Sequence, residues 1–220
     1  MNGVGLNFSF LERYLPLYAA AALLTLKIAF FGIVLSLVVG VMCAVVRYYS
    51  VPILRAVASV YIEVSRNTPL IVQLFFLYFG LPKLGVVMSA QACAIVGLGF
   101  LGGGYMAESF RSGLESVEVS QLEAAESLGM SKALAMREIV FPQALANAVP
   151  GVFANFIFLI KETSVVSGIA LADLVYVTKD LIGLYYETDE ALIMLVGFYL
   201  VILLPISVAA TVFERRLRYV

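Results

Sequence analysis

Residues 191–213 read ALIMLVGFYLVILLPISVAATVF, with no charge between Glu190 and Glu214. As a helix rising about 1.5 Å per residue, this stretch reaches about 35 Å, enough to cross the hydrocarbon of a bilayer. Leu84–Ala107 is a second uncharged run, and Ile139–Ile160 a third that carries Pro142, Asn147, Pro150 and Asn155. A fourth, Ile28–Val46, extends back past Lys27 to about Tyr14. The weakest, Leu54–Leu81, is interrupted by Glu63, Arg66 and Pro69. The pattern predicts an all-α membrane protein, one domain over 1–220. Five spans are expected at about 15–47, 54–82, 85–107, 139–162 and 191–213, with a connecting loop over 108–138.

Composition agrees. Of 220 residues, 62% are apolar and 13% charged, against roughly 45–50% and about 25% in soluble domains. The 14 basic and 15 acidic residues leave a net charge of -1, which argues against a basic nucleic-acid surface. Histidine is absent, so Ser-His, Cys-His and histidine-ligated metal chemistry are excluded. Cys43 and Cys93 lie far apart inside apolar runs and read as buried small hydrophobes. Gly97, Gly99 and Gly102 match a dinucleotide fingerprint but sit in a membrane run with no preceding strand, so they read as packing positions. No phosphate-binding G-x-x-x-x-G-K-[ST] loop occurs. Gly32, Ser36, Gly40 and Ala44 recur every four residues, a small-residue stripe suited to close helix contact.

Excess Lys and Arg marks the cytoplasmic side of a membrane protein. With five spans, Arg47, Arg55, Arg111, Lys132, Arg137, Arg215, Arg216 and Arg218 share one side, and Arg13, Lys83 and Lys179 the other. The C-terminus is therefore expected inside, the N-terminus outside, and the acidic segment Asp173–Glu190 outside. The N-terminus has no basic region ahead of an apolar stretch, so no cleavable signal is expected.

In the loop, Ser120–Gly129 combines helix formers with a glycine stop. Ala124, Ala125 and Leu128 are expected on one face, with Glu123 and Glu126 to the sides. Ser131 is a candidate cap for a second short helix. Glu123-Ala124-Ala125, Gly129, Ile139 and Pro142 resemble the E-A-A loop of binding-protein-dependent ABC importer permeases. Arg66–Leu70, Gln73–Phe76, Tyr105–Gly113, Phe141–Ala144 and Lys161–Val165 extend the likeness to the polar amino-acid permeases, covering about Leu24 to Arg218. Two departures stand out: Phe141 replaces the usual leucine, and Glu118-Val119-Ser120 replaces the common Pro-Lys-Gly.

The resemblance implies a cytoplasmic coupling helix, with Glu123, Ala124, Ala125, Leu128 and Gly129 docking into a separate ATPase. It also implies a multi-pass subunit of the bacterial cytoplasmic (inner) membrane that is not itself an enzyme. Its partners would be an ATPase dimer, a second permease chain (identical or related), and an extracellular or periplasmic amino-acid-binding protein. No cofactor is expected on this chain, ATP-Mg belonging to the ATPase. A polar amino acid would be the substrate. The alternative is a self-sufficient secondary carrier or channel, in which Lys161, Glu162, Glu63 and Arg66 relay ions.

Charges in the hydrocarbon need a partner or a wet cavity. Lys161 and Glu162 are about 100° apart on a helix and cannot face each other. Either they snorkel at the outer end of the fourth span, or the helix breaks there. In the second case Lys161, Glu162, Thr163 and Ser164 line the pathway, where the resemblance places them. Glu63 and Arg66 are three apart and are expected to pair beside a kink at Pro69. Thr68 and Gln73 are candidate cavity-lining groups, and Asn147 and Asn155 candidate interhelical links.

Overall fold

The structure, a computed structural model, describes residues 7–48 and 52–217. Arg218, used above for orientation, lies outside the described residues. The described chain is helical apart from short connections, with no strand among them. Among the described residues, four stretches, Phe8–Tyr48, Ala90–Glu115, Lys132–Ile169 and Thr188–Arg216, are long and apolar enough to cross a membrane. That is one fewer than expected. The missing one, expected over 54–82, is cut in two.

Helix α1 (Phe8–Tyr48) is followed by α2 (Pro52–Asn67) and α3 (Leu70–Phe75), the last widening into a π turn and then tightening into a 3-10 turn ending at Leu84. The cut between α2 and α3 falls at Thr68-Pro69. Pro69 takes φ -57 and ψ 142, extended rather than helical, and its ring supplies no N–H to close the ladder. Nearby side chains take over the freed groups. Gln73 Nε2 donates to the carbonyls of Ser65 at 3.1 Å and Thr68 at 2.9 Å. Asn67 Nδ2 donates to the Glu63 carbonyl at 2.8 Å. A broken helix survives in lipid only when its backbone groups are satisfied internally in this way.

Helix α4 (Ala90–Glu115) runs eight residues past the expected end of its span. Helices α5 (Val119–Ser127) and α6 (Lys132–Ala135) follow, and α6 continues through a π turn into α7 (Phe141–Glu162). Little of 108–138 is therefore a loop. The acidic segment Asp173–Glu190 also contains an unforeseen helix, α8 (Leu174–Tyr185), before α9 (Thr188–Leu217).

Helix α4 is the axis of the bundle, sheathed by α1 and α7. The small-residue stripe of α1 is what allows it: a Cβ at Gly40 would meet Met106 Cβ and lie 3.1 Å from the backbone nitrogen of Ala107. Ser36, buried in the same stripe, donates to the Gly32 carbonyl at 2.7 Å and also lies 3.1 Å from that of Leu98. Both cysteines are free and buried. Asn147 reaches Ser116 at 2.7 Å and Asn155 reaches Ser109 at 2.9 Å, tying α7 to α4 and the turn beyond it. A second cluster joins α1, α8 and α9, where the Tyr18 hydroxyl meets Thr178 Oγ1 at 3.0 Å and donates to the Ala191 carbonyl at 2.9 Å.

Candidate functional site

Helix α5 projects from the end of the bundle where α4 ends and α7 begins. Its stop is a hydrogen-bonded reversal. Gly129 N–H donates to the Glu126 carbonyl at 2.9 Å, and Met130 N–H to that of Ala125 at 3.1 Å. This pairing requires a left-handed residue at the turn, and Gly129 supplies it with φ +82. Ser131 then caps α6, its Oγ accepting from Leu134 N–H at 3.3 Å.

The expected common face of Ala124, Ala125 and Leu128 does not form. Ala125 is 1% exposed and packs inward, whereas Leu128 is 84% exposed. Ala124 and Leu128, four apart, share the outward side, whereas Ala125, about 100° round from Ala124, turns inward. Glu123 and Ala124 are exposed beside Leu128. Val119, also on α5, exposes another large apolar side chain. The helix thus shows solvent an apolar residue at each end and a carboxylate between them.

The polar residues of the spans gather in part. An open-sided groove of about 330 Å³ is lined by Arg66, Thr68, Pro69, Tyr105, Phe158 and Glu162, among others. The break before α3 and the end of α7 therefore face one hollow. Gln73 is 8% exposed and committed to the helix break; it borders a separate, apolar hollow. Lys161 is exposed, outside the groove. Thr163 is fully buried, its hydroxyl donating back to the Ile160 carbonyl at 2.6 Å. Ser164 is half-buried. Helix α7 does not break at Lys161–Glu162; it tightens into a 3-10 turn, Thr163–Ile169.

The expected Glu63–Arg66 pair is replaced by another. Glu63 accepts from Asn67 at 3.1 Å. Arg66 lies 3.9 Å from Glu108 and 5.4 Å above the Tyr105 ring. Glu108 also accepts from Arg47 at 2.8 Å and from Arg111 at 2.7 Å. One carboxylate so gathers cations from α1, α2 and its own helix. In the sequence Glu108 is the charge that closes the uncharged run Leu84–Ala107, and its i,i+3 relation to Arg111 is the one local sign of more.

The architecture defines a class: a helical, multi-pass membrane protein with one broken helix and a short helix outside its long apolar ones. Residues 36–219 match the binding-protein-dependent transport system inner membrane component, and the chain belongs to that family. It is a permease subunit of an ABC importer. A probable amino-acid ABC transporter permease, PatM, of Vibrio harveyi is 36% identical over 78% of each chain. A probable glutamine ABC transporter permease, GlnP, of Bacillus subtilis is 40% identical over 70% of this chain and 71% of its own. A crystal structure of an amino acid ABC transporter with histidines superposes with a TM-score of 0.90 at 35% identity, covering 97% of this chain and 100% of the other. The methionine ABC transporter MetNI, inward facing, shares the fold with a TM-score of 0.75 at 20% identity, over 94% of this chain and 98% of its own.

Proposed function

We propose that this permease carries polar amino acids and is driven by a separate ATPase that engages α5. The observation behind this reading is the outward face of α5, with Leu128 almost fully exposed ahead of a left-handed Gly129. Val119 and Leu128 are both bare on one short helix outside the long apolar ones, an apolar pair that a docking surface can cover. Glu123 offers a carboxylate to a basic rim, and Ala124 lets another surface come close. ATP-Mg would bind in the partner, whose closure would bring two such helices together and rock the spans.

The substrate pathway in this reading is the groove between α3 and α7. Glu162 suits the ammonium of an amino acid, and Thr68 and Arg66 suit its carboxylate. A second permease chain would close the open side, and an external binding protein would deliver the substrate near α8. The split segment α2–α3 would complete five crossings and leave the N-terminus outside. The polar amino-acid relatives and the family assignment support this over a self-sufficient carrier, for which α5 would have no use.

The test is Leu128→Asp in the assembled transporter. Co-purification of the ATPase should fall about ten-fold or more, the effect of truncating a buried anchor, while membrane insertion is retained. Undiminished co-purification and uptake would refute the coupling role. Single cysteines placed at Glu118 and Tyr185 should label from opposite sides, the first from the cytoplasm; the native cysteines are buried.

A further inference from the structure

Two hollows adjoin where α1 and α4 end and α7 begins. The first, about 280 Å³, is apolar and lined by Val41, Phe110, Met136, Phe141, Leu145 and Ala148, among others. The second, about 160 Å³, is lined by Arg47, Arg55, Arg111 and Glu115. Ala44, Tyr48 and Leu114 border both, so the apolar slot lies directly beside the arginine-lined hollow. An apolar cavity of about 150 Å³ already holds a benzene-sized group, so the slot has room for a length of hydrocarbon chain.

The charge at the mouth is positive. Arg47 and Arg111 are held by Glu108, and Arg111 also by Glu115. Arg55 is exposed and adds a third guanidinium to the two carboxylates. Each guanidinium carries five N–H donors, more than its carboxylate contacts consume. The outer lip, formed by Val41 and Val45, is exposed on a candidate span, so the slot opens on the side where a bilayer would lie. A soluble anion would use the mouth and leave the slot empty; an apolar peptide would gain nothing from the arginines.

We infer that this composite hollow binds an anionic phospholipid, one acyl chain in the slot between α1, α4 and α7 and the phosphate on Arg47, Arg55 and Arg111. Basic pockets between membrane helices hold lipid headgroups by this charge pairing. The inference requires only that the chain sits in a membrane, and it stands apart from the coupling and pathway readings.

The chain has no tryptophan, so Leu145→Trp places a single reporter in the slot. The full chain, reconstituted in phosphatidylcholine vesicles, is titrated with phosphatidylglycerol brominated on its acyl chains, and separately with brominated phosphatidylcholine. Quenching should favour the anionic lipid. Arg55→Gln should lower that preference about five-fold, the contribution of one basic residue near an anionic surface. Ala44→Phe, which narrows the junction, should weaken quenching by both lipids. Val201→Trp, exposed on α9, should show no preference. Equal quenching by the two lipids at Leu145→Trp, or a preference untouched by Arg55→Gln, overturns the site. So does a preference abolished by inorganic phosphate at constant ionic strength, which would assign the arginines to a free anion. If the tryptophan disturbs the slot, the unsubstituted chain decides: lipid co-purifying with it should be enriched in phosphatidylglycerol over the vesicle, and no enrichment refutes the inference.

Discussion

Glu108 of α4 and Arg47 of α1, 61 positions apart in the chain, meet at 2.8 Å. The carboxylate is held at the same time by Arg111 and approached by Arg66. It therefore links α1, α2 and α4 at the end of the bundle from which α5 projects.

Glu108→Gln keeps the volume and removes the charge shared by these cations. Losing charge-assisted hydrogen bonds at a site 21% exposed should cost about 2 kcal/mol. The thermal midpoint of the detergent-solubilised protein should fall by about 5 °C. An unchanged midpoint would mean that water already replaces these contacts.

At Gly40 the backbone of α1 lies against Met106 and Ala107 of α4. Gly40→Val should cost about 1–3 kcal/mol by overpacking or prevent accumulation in the membrane. Gly183→Ala on α8, where an added Cβ meets nothing within 4 Å, should be neutral or stabilising by up to about 1 kcal/mol. Comparing the two midpoints separates close packing from a general loss of glycine.

Gly129→Val forces a β-branched residue into φ +82, where no space is lacking but the backbone is strained by about 1–2 kcal/mol. The turn after α5 should reorganise, lowering ATPase co-purification and uptake while insertion is unaffected. Gly129→Asn, which tolerates this conformation better, should retain more of both.

Asp173 caps α8, its Oδ1 accepting from Tyr176 N–H at 2.8 Å, and it is 0% exposed. Burial pushes its carboxyl up to about 6, against the opposing pull of the N–H groups of Tyr176 and Val175. The folded state thus holds its proton more tightly than the unfolded chain, whose carboxylates titrate near about 4. The stability from this group is present in full below about 4 and lost as pH rises through about 6. Asp173→Asn keeps a capping side chain and should flatten that slope in thermal melts between these values. A slope unchanged in the variant would assign it to other groups.

Glu162→Gln should lower uptake of a polar amino acid in the assembled transporter without loss of subunits. If the variant does not accumulate, the carboxylate serves packing and the groove is not the pathway.

Helical class and four of the five expected apolar runs were legible because hydrocarbon imposes one requirement on every residue of a span, readable position by position. The break at Pro69, the stop at Gly129, the cap at Ser131 and the stripe around Gly40 were equally local, each set by a side chain acting on its own backbone or its own helix face. Tertiary structure alone decided partners. Glu63 and Arg66 satisfy every local criterion for pairing, yet Arg66 turns to Glu108, which already gathers cations from two other elements. Ala125 belongs to the resembled motif and Leu128 to the docking set it implies, but only the packing of α5 against α6 and the turn that follows shows which of them stays exposed. A charge or methyl group takes whichever neighbour the assembled bundle brings nearest, and that distance is a property of all the helices together.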